Sequence, residues 1–253
     1  MIPKIIHYCW FGRKPLPELA QKCIESWKKY LPEYEIKKWN EDNFDVNIVP
    51  YTAEAYKSGK FAFVSDYARF WILYNYGGLY FDTDVEVIKP MDEIVEKGPF
   101  MGCELSPKGN NLYPSVAPGL GLGVNPGLGL YKKVLEGYNS RHLYSLGGVI
   151  GHTVVQILTK MFIESHPYVD FSKIVEIEGI KIYPWDYFCP LIASSGELKI
   201  TENTYSIHHY TATWAKDGEL PRWRRAILRL RNMAIRQYGQ FIWPILYSRP
   251  KLQ

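Results

Sequence analysis

The chain has 253 residues, a formal net charge of +4 and 47% hydrophobic residues, which predicts one large domain, with or without an appendage, and a substantial core. Its four cysteines are scattered without a C-x-x-C pair, so neither a disulfide framework nor a zinc site is expected, and a reducing cytoplasm fits. The N-terminus lacks the apolar stretch of a signal peptide, and no apolar run reaches the roughly 18 residues of a membrane span.

The first predicted elements are those of a nucleotide-binding α/β half. A strand is predicted over 2–10, ending at Trp10, and a second strand over 34–39. Between them, apolar residues at a spacing of four predict a helix over 18–30. This order of strand, loop, helix and strand favours an α/β fold.

The next stretch organises the chain. A helix begins at Phe61 and is predicted to end at the glycine pair 77–78, because glycine adopts the left-handed cap without steric cost. The apolar run 79–81 then predicts a short buried strand, and Asp82 and Asp84 follow it directly. Ligands bind at such strand ends in open α/β sheets.

Two carboxylates one residue apart face opposite sides of a regular strand, so Asp82 and Asp84 converge only if the backbone turns between them. Converging carboxylates suit Mg²⁺ or Mn²⁺, with diphosphate oxygens completing the coordination. Asp66 and Arg69 lie three residues apart and share one face of the preceding helix. The simpler alternative is a surface ion pair followed by an acidic turn.

Beyond residue 90 the pattern is looser. Strands are predicted over 100–104 and within 174–182, and helices over 128–138 and 147–160. The segment 106–129 is rich in glycine and proline but lacks the G-K-[ST] ending of a phosphate loop, so it is interpreted as a mobile loop with a short strand.

A second group of candidate functional residues lies at 207–214. His208 and His209 are adjacent, and Trp214 follows five residues after His209. Neutral imidazole is a good ligand for Mn²⁺ and neighbouring metals. Because successive strand residues face opposite ways, only one histidine is expected to bind the metal, and His209 is favoured without excluding His208.

The C-terminal stretch differs from the rest of the chain. From Pro221 onward it holds eight basic and no acidic residues, whereas the remainder is mildly acidic, which argues against a nucleic-acid surface across the domain. We therefore divide the chain into a domain at 1–220 and a basic amphipathic helical tail at 221–253. The tail is expected either to pack on the domain or to lie on an anionic membrane surface.

The string S-D-x-x-R-x-x-x-L-x-x-x-G-G-x-Y-x-D-x-D resembles the signature of glycosyltransferase family 32. That family includes yeast-type mannosyltransferases, the catalytic domains of large clostridial toxins and bacterial capsular-polysaccharide transferases. The opening I-P-K-x-I-H-x-x-W and the later H-H-x-x-x-x-W are also similar to family motifs. The nine matching positions of the main string are Ser65, Asp66, Arg69, Leu73, Gly77, Gly78, Tyr80, Asp82 and Asp84.

The resemblance implies a GT-A fold, which is a Rossmann-like nucleotide-sugar transferase fold, and a set of site residues. Asp82 would approach the ribose and sugar and, with Asp84, hold a Mn²⁺ or Mg²⁺ ion. Asp66 and Arg69 would hold the sugar and phosphates of the donor, and these four residues would be catalytic. Tyr80 would also belong to the donor site.

The resemblance further implies that Trp10 stacks on the nucleobase and that Trp214 closes over the donor. The expected reaction is transfer from a UDP- or GDP-sugar to a glycan hydroxyl with retention at the anomeric carbon. We expect a role in capsular or surface polysaccharide synthesis, a lipid-linked acceptor, and a cytoplasmic enzyme peripheral to the inner face of the plasma membrane.

Two other functions compete with this interpretation. The sequence L-Y-F-D-T-D-V mimics the D-x-D loop of haloacid-dehalogenase-type phosphatases, but their loop follows the first strand and no G-D-x-x-x-D is present here. An inactive, membrane-associated glycan-binding module is the non-enzymatic alternative. Measured hydrolysis of the donor distinguishes this module from an active glycosyltransferase.

Overall fold

The structure is a computed structural model, described here for residues 1–108, 111–144 and 153–211. The strands are β1 Ile5–Cys9, β2 Glu35–Trp39, β3 Gly78–Tyr80, β4 Val85–Val87, β5 Phe100–Lys108, β6 Asn111–Val124, β7 Val175–Ile177, β8 Ile180–Tyr183 and β9 Ser206–His208. The helices are α1 Glu18–Tyr30, α2 Pro50–Lys57, α3 Phe61–Tyr76, α4 Asp92–Val95, α5 Gly129–Glu136, α6 Val154–Ser165 and α7 Trp185–Phe188.

A mixed sheet forms the centre of the fold. Its seven strands have the order β2-β1-β3-β6-β5-β8-β7, and β4 pairs with β9 in a separate two-stranded sheet. The β1 strand is parallel to β2 and β3, whereas β6 is antiparallel to β3 and β5. The predicted α/β class is therefore confirmed, and the predicted helix over 18–30 coincides with α1.

Three sequence predictions fall outside the described residues: the closing role of Trp214, the domain boundary at 220 and the helical tail at 221–253. Within the described part, no helix combines the length and apolarity needed to cross a bilayer.

Helices and sheet enclose two hydrophobic clusters. One contains Phe70 of α3, Tyr131 of α5 and Phe162 of α6, and the other contains residues of α1 and β4. The neighbouring residues Leu79 and Tyr80 of β3 belong to different clusters, as the alternation of side chains along a strand requires. Both faces of β3 are therefore buried, which explains its continuous apolar sequence.

The junction between α3 and β3 depends on its two glycines. Gly77 has φ 64° and Gly78 has φ 95°, and the amide of Gly77 donates to the Leu73 carbonyl at 2.9 Å. A Cβ atom on Gly78 would lie 2.6 Å from the carbonyl oxygen of Ile5. The glycine pair thus ends the helix, as predicted, and also lets the chain pass close to β1.

The prediction of a mobile loop over 106–129 is wrong for most of that segment. Residues 111–124 form β6, which pairs with β5 along its length and with β3 near its end. The glycine-rich part of β6 crosses the centre of the sheet, and its backbone lies beside residues that follow β3.

A buried histidine ties β1 to its neighbours. His7 is fully buried, its Nε2–H donates to the Gly77 carbonyl at 3.0 Å, and its Nδ1 accepts from the Trp39 indole at 3.0 Å. These partners fix the neutral tautomer. Burial, with help from Lys37, lowers the pKa of His7 to about 4 against the opposing Gly77 hydrogen bond.

We expect acid to weaken the fold through His7. The unfolded chain binds this proton near pH 6.5 and the native chain only near pH 4, so stability falls as the pH drops between those values. The loss should reach up to about 3 kcal/mol. His7→Gln, which keeps a donor for Gly77 and cannot be protonated, should remove this component in urea unfolding measured at pH 7, 5.5 and 4. An unchanged pH dependence in the variant would contradict it.

Candidate active site

The two aspartates of the D-x-D sequence lie on a tight turn between β3 and β4. The amide of Val85 donates to the Asp82 carbonyl at 3.0 Å, and the amide of Asp82 donates to the Gly119 carbonyl of β6 at 3.0 Å. The backbone turn that the sequence argument required is therefore present. Asp84 is near enough to contribute to a raised pKa at Asp82, after the larger effect of burial.

A buried cation joins two of the predicted carboxylates. The Arg69 Nη2 lies 3.0 Å from Asp66 Oδ1 and 3.3 Å from Asp82 Oδ1, and its Nε donates to the Ser65 carbonyl at 3.1 Å. Arg69 is 4% exposed and Asp66 8% exposed. Burial raises the pKa of Asp66 to about 6, although Arg69 opposes this shift. One guanidinium thus faces two carboxylates, and the cluster has an excess of negative charge.

Tyr80 also contacts the Asp82 carboxylate. Its hydroxyl donates to Asp82 Oδ1 at 3.1 Å, and the Arg69 guanidinium lies 5.1 Å from its ring centroid. Tyr80 is only 1% exposed. Tyr80 therefore lies against Asp82 and orients its carboxylate. Its predicted contact with a sugar donor stays a prediction.

The two adjacent histidines face different carboxylates. Nε2 of His208 lies 3.1 Å from Asp84 Oδ1, whereas Nε2 of His209 lies 2.9 Å from Glu86 Oε2. The pairing of β9 with β4, with His208 opposite Val85, sets this arrangement. The sequence favoured His209 as the metal ligand, but the histidine that lies beside the D-x-D turn is His208.

These residues fit a divalent cation. Burial disfavours a charged imidazole, but Asp84 outweighs it and raises the pKa of His208 well above its usual value. A proton between an imidazole and a carboxylate occupies the kind of position that a metal ion takes when both groups ligate it. Carboxylate and imidazole together suit Mn²⁺, and Asp82 adds a second carboxylate nearby.

Trp10 lies at the same edge of the sheet. The register of β1 with β3, His7 opposite Tyr80, brings the carboxyl ends of both strands together. The Trp10 indole donates to the Lys14 carbonyl at 2.6 Å, and its ring is partly buried against the second cluster. The structure therefore places Trp10 near the predicted donor site, and stacking on a base stays a prediction.

Sequence reasoning missed Gly119, which lies against Asp82. A Cβ atom on Gly119 would lie 2.0 Å from Asp82 Oδ2 and 3.2 Å from an Arg69 nitrogen. The missing side chain provides the space that the Asp82 carboxylate occupies. The fixed spacing of glycines in this segment was visible in the sequence, but the pairing of β6 with β3 was needed to interpret it.

We expect Gly119→Ala to displace Asp82. Relief of the clash should cost about 1–3 kcal/mol of stability, and activity that needs Asp82 should fall by roughly ten-fold or more. Gly129→Ala is the matched control, because a Cβ there meets nothing within 4 Å. Thermal unfolding and donor turnover of both variants provide the measurement. Equal behaviour of the two would show that Asp82 does not depend on the space at Gly119.

Part of this region matches a known family. The family described as "Glycosyltransferase sugar-binding region containing DXD motif" matches residues 17–101 of this chain. These residues span α1 to the start of β5. That segment contains Asp66, Arg69, Asp82 and Asp84. The predicted resemblance to D-x-D glycosyltransferases is thereby confirmed.

Individual proteins are similar to parts of this chain or to its fold. Inositol phosphoceramide mannosyltransferases 1 and 3 of Schizosaccharomyces pombe are 29% and 31% identical over 119 and 101 residues, which is 43% and 37% of this chain. The chain covers 36% and 27% of their lengths. A solved glycosyltransferase involved in glycosylation of the major capsid of PBCV-1 is 13% identical, with a TM-score of 0.48, and the match covers 91% of this chain and 100% of that one.

Proposed function

We propose that the chain is a metal-dependent glycosyltransferase that uses a nucleotide-diphosphate sugar, a UDP- or GDP-sugar. The observation that carries this proposal is the D-x-D turn, in which Asp82 is held by Arg69 and Asp84 lies 3.1 Å from His208. The site lies at the carboxyl end of β3, where ligands bind in open α/β sheets. The family match over residues 17–101 gives independent support.

In this proposal each residue has a distinct task. Asp84 and His208, with Asp82, would hold Mn²⁺ or Mg²⁺, and the bound ion would neutralise charge on the leaving diphosphate. Arg69, which contacts two carboxylates, would use its remaining N–H groups to bind the phosphates of the nucleotide sugar. Asp66 would orient the same guanidinium through its 3.0 Å contact with Nη2. These groups are preorganised by their contacts with one another, and Arg69, Asp66 and Asp84 are buried, so little reorganisation is needed as charge develops on the leaving group.

We further propose that the acceptor is a glycan hydroxyl and that transfer retains the anomeric configuration. The two named relatives are mannosyltransferases of inositol phosphoceramide, a lipid, which supports a lipid-linked acceptor for this chain as well. A role in capsular or surface polysaccharide synthesis follows from the resemblance of the D-x-D string. A phosphatase finds less support, because the D-x-D turn follows β3 rather than the first strand.

The basic segment 221–253 extends the proposal to an anionic membrane surface at the cytoplasmic face. The segment after Leu220 holds eight basic residues and no acidic ones. Each basic residue could contribute roughly 1 kcal/mol of binding free energy near anionic headgroups. The full chain should sediment with phosphatidylglycerol vesicles at low salt and be released at high salt. A chain ending at Leu220 should stay in the supernatant and keep donor hydrolysis. Equal sedimentation of both chains would contradict a membrane role for the segment.

A panel of nucleotide sugars, each with and without Mn²⁺, tests the proposed function. A specific donor should raise the melting temperature in the presence of the metal, since a ligand that binds only the native state stabilises it. The same donor should be hydrolysed slowly without an acceptor. Stabilisation without any hydrolysis would support the glycan-binding alternative, and full activity after verified metal removal would overturn metal dependence.

A further inference from the structure

Three side chains from distant parts of the chain meet behind the D-x-D turn. Glu104 lies on β5, Cys189 directly follows α7, and His208 ends β9. One carboxylate oxygen, the thiol sulfur and one imidazole nitrogen of these residues all lie within 4.8 Å of one another. Cys189 is 2% exposed, so the sulfur lies inside the protein rather than on its surface.

The imidazole has one nitrogen available for this group. Nε2 of His208 lies 3.1 Å from the Asp84 carboxylate, while its buried Nδ1 has no partner at strict hydrogen-bond geometry within the described residues, although the Cys189 thiol lies close enough to interact with the ring. A buried nitrogen without a well-formed hydrogen bond is unfavourable, and a metal ion held between this nitrogen and the Cys189 sulfur would satisfy it. A histidine whose other nitrogen faces a carboxylate is also a common arrangement at zinc sites.

The other two ligands are held in place by a shared partner. The Tyr210 hydroxyl lies 2.9 Å from the Cys189 sulfur and donates to Glu104 Oε2 at 3.0 Å, and Ser106 donates to Glu104 Oε1 at 3.2 Å. Tyr210 has φ 49°, a conformation that is uncommon for a residue with a side chain. The fold thus maintains an unusual backbone at the point where this hydroxyl reaches the cluster.

From this geometry we propose that Glu104, Cys189 and His208 form a binding site for Zn²⁺. Sulfur, nitrogen and carboxylate oxygen are the ligands that zinc takes in proteins, and three protein ligands leave a fourth position open. On binding, the Cys189 thiol releases its proton to solvent and the sulfur becomes a thiolate ligand, which can then accept the Tyr210 hydroxyl hydrogen. The spacing of the cysteines gave no sign of this site, since it uses only one of them.

The site has a consequence that rests on the proposed function. When Nδ1 of His208 ligates zinc, its Nε2 carries the hydrogen and donates it to Asp84, so His208 is not free to ligate the donor's metal ion. Zinc bound here should therefore lower donor turnover by competing for one shared histidine.

Cobalt titration of the full chain tests the site without any donor. Co²⁺ bound to a thiolate gives a charge-transfer band in the near ultraviolet, which Zn²⁺ should remove by displacement. Cys189→Ala should lose the band, and Cys23→Ala, which removes another buried thiol, should keep it. Glu104→Gln should weaken cobalt affinity by roughly ten-fold or more. Circular dichroism establishes that each variant is folded.

Two outcomes would overturn the site: no thiolate band in the wild-type chain, or a band that persists in folded Cys189→Ala. If Cys189→Ala does not fold, a cobalt affinity of Glu104→Gln equal to that of the wild type would also overturn the site. Asp82→Asn separates this proposal from the proposed function, because it should abolish donor turnover and leave the cobalt band intact.

Discussion

Asp84→Asn is expected to lower donor turnover by roughly 100-fold or more while leaving the chain folded. Asp84 is 9% exposed and lies 3.1 Å from His208, so removal of its charge takes one ligand from the proposed metal ion. The amide can still accept a hydrogen bond from His208, but the charge-assisted pair is lost, so the structural cost should be about 1–3 kcal/mol.

The chain offers a close control for this experiment. Glu86, two residues along, is also buried and pairs with the neighbouring His209 at 2.9 Å. Glu86→Gln therefore makes the same chemical change in an equivalent pair that lies outside the D-x-D turn. We expect it to retain turnover within about three-fold of the wild type, in line with a purely structural pair. Equal losses in both variants would place the effect in the two-stranded β4–β9 sheet rather than at a metal ligand.

Asp66→Asn is expected to have opposite effects on stability and activity. Burial raises the pKa of Asp66 to about 6, so at pH 7 the native state holds an ionised carboxylate in surroundings that favour the neutral form. Removing that charge should stabilise the fold by about 2–3 kcal/mol at pH 7, and Arg69 keeps Asp82 as a partner. Donor turnover should fall by roughly ten-fold or more, because Arg69 loses one of its two anchors.

The pH dependence makes this prediction specific. The unfolded chain loses the Asp66 proton near pH 3.8 and the native chain near pH 6, so the unfavourable contribution grows as the pH rises between these values. The gain from Asp66→Asn should therefore be present at pH 7 and close to zero at pH 4, as measured by urea unfolding. A variant that is less stable than the wild type at pH 7 would show that the Asp66–Arg69 ion pair outweighs the burial of the carboxylate.

The central site could be predicted because its signals are local. The signals are contiguous in the sequence: the glycine pair ends α3, the apolar run forms the buried strand β3, and the two aspartates follow at its end. The pairing of Asp66 with Arg69 follows from helical spacing and was found at 3.0 Å. In contrast, the choice between His208 and His209 depended on how β9 pairs with β4.

The β5–β6 hairpin shows why local reasoning fails in other places. Glycine and proline normally indicate loops, but here the glycines of β6 serve distant neighbours. A Cβ would lie 2.0 Å from Asp82 at Gly119, 3.2 Å from Phe81 at Gly121 and 2.1 Å from Phe100 at Gly123. The cluster of Glu104, Cys189 and His208 was hidden for the same reason, because three separate elements bring it together.

A crystal structure of the full chain with Mn²⁺ and the nucleoside diphosphate of its stabilising donor tests the central claim most directly. The account predicts a metal ion ligated by Asp84 and His208, phosphate oxygens completing its coordination beside Arg69, and the base on the face of Trp10. A nucleotide bound elsewhere, or bound at this edge with Asp84 and His208 still paired to each other and no ion between them, would contradict it.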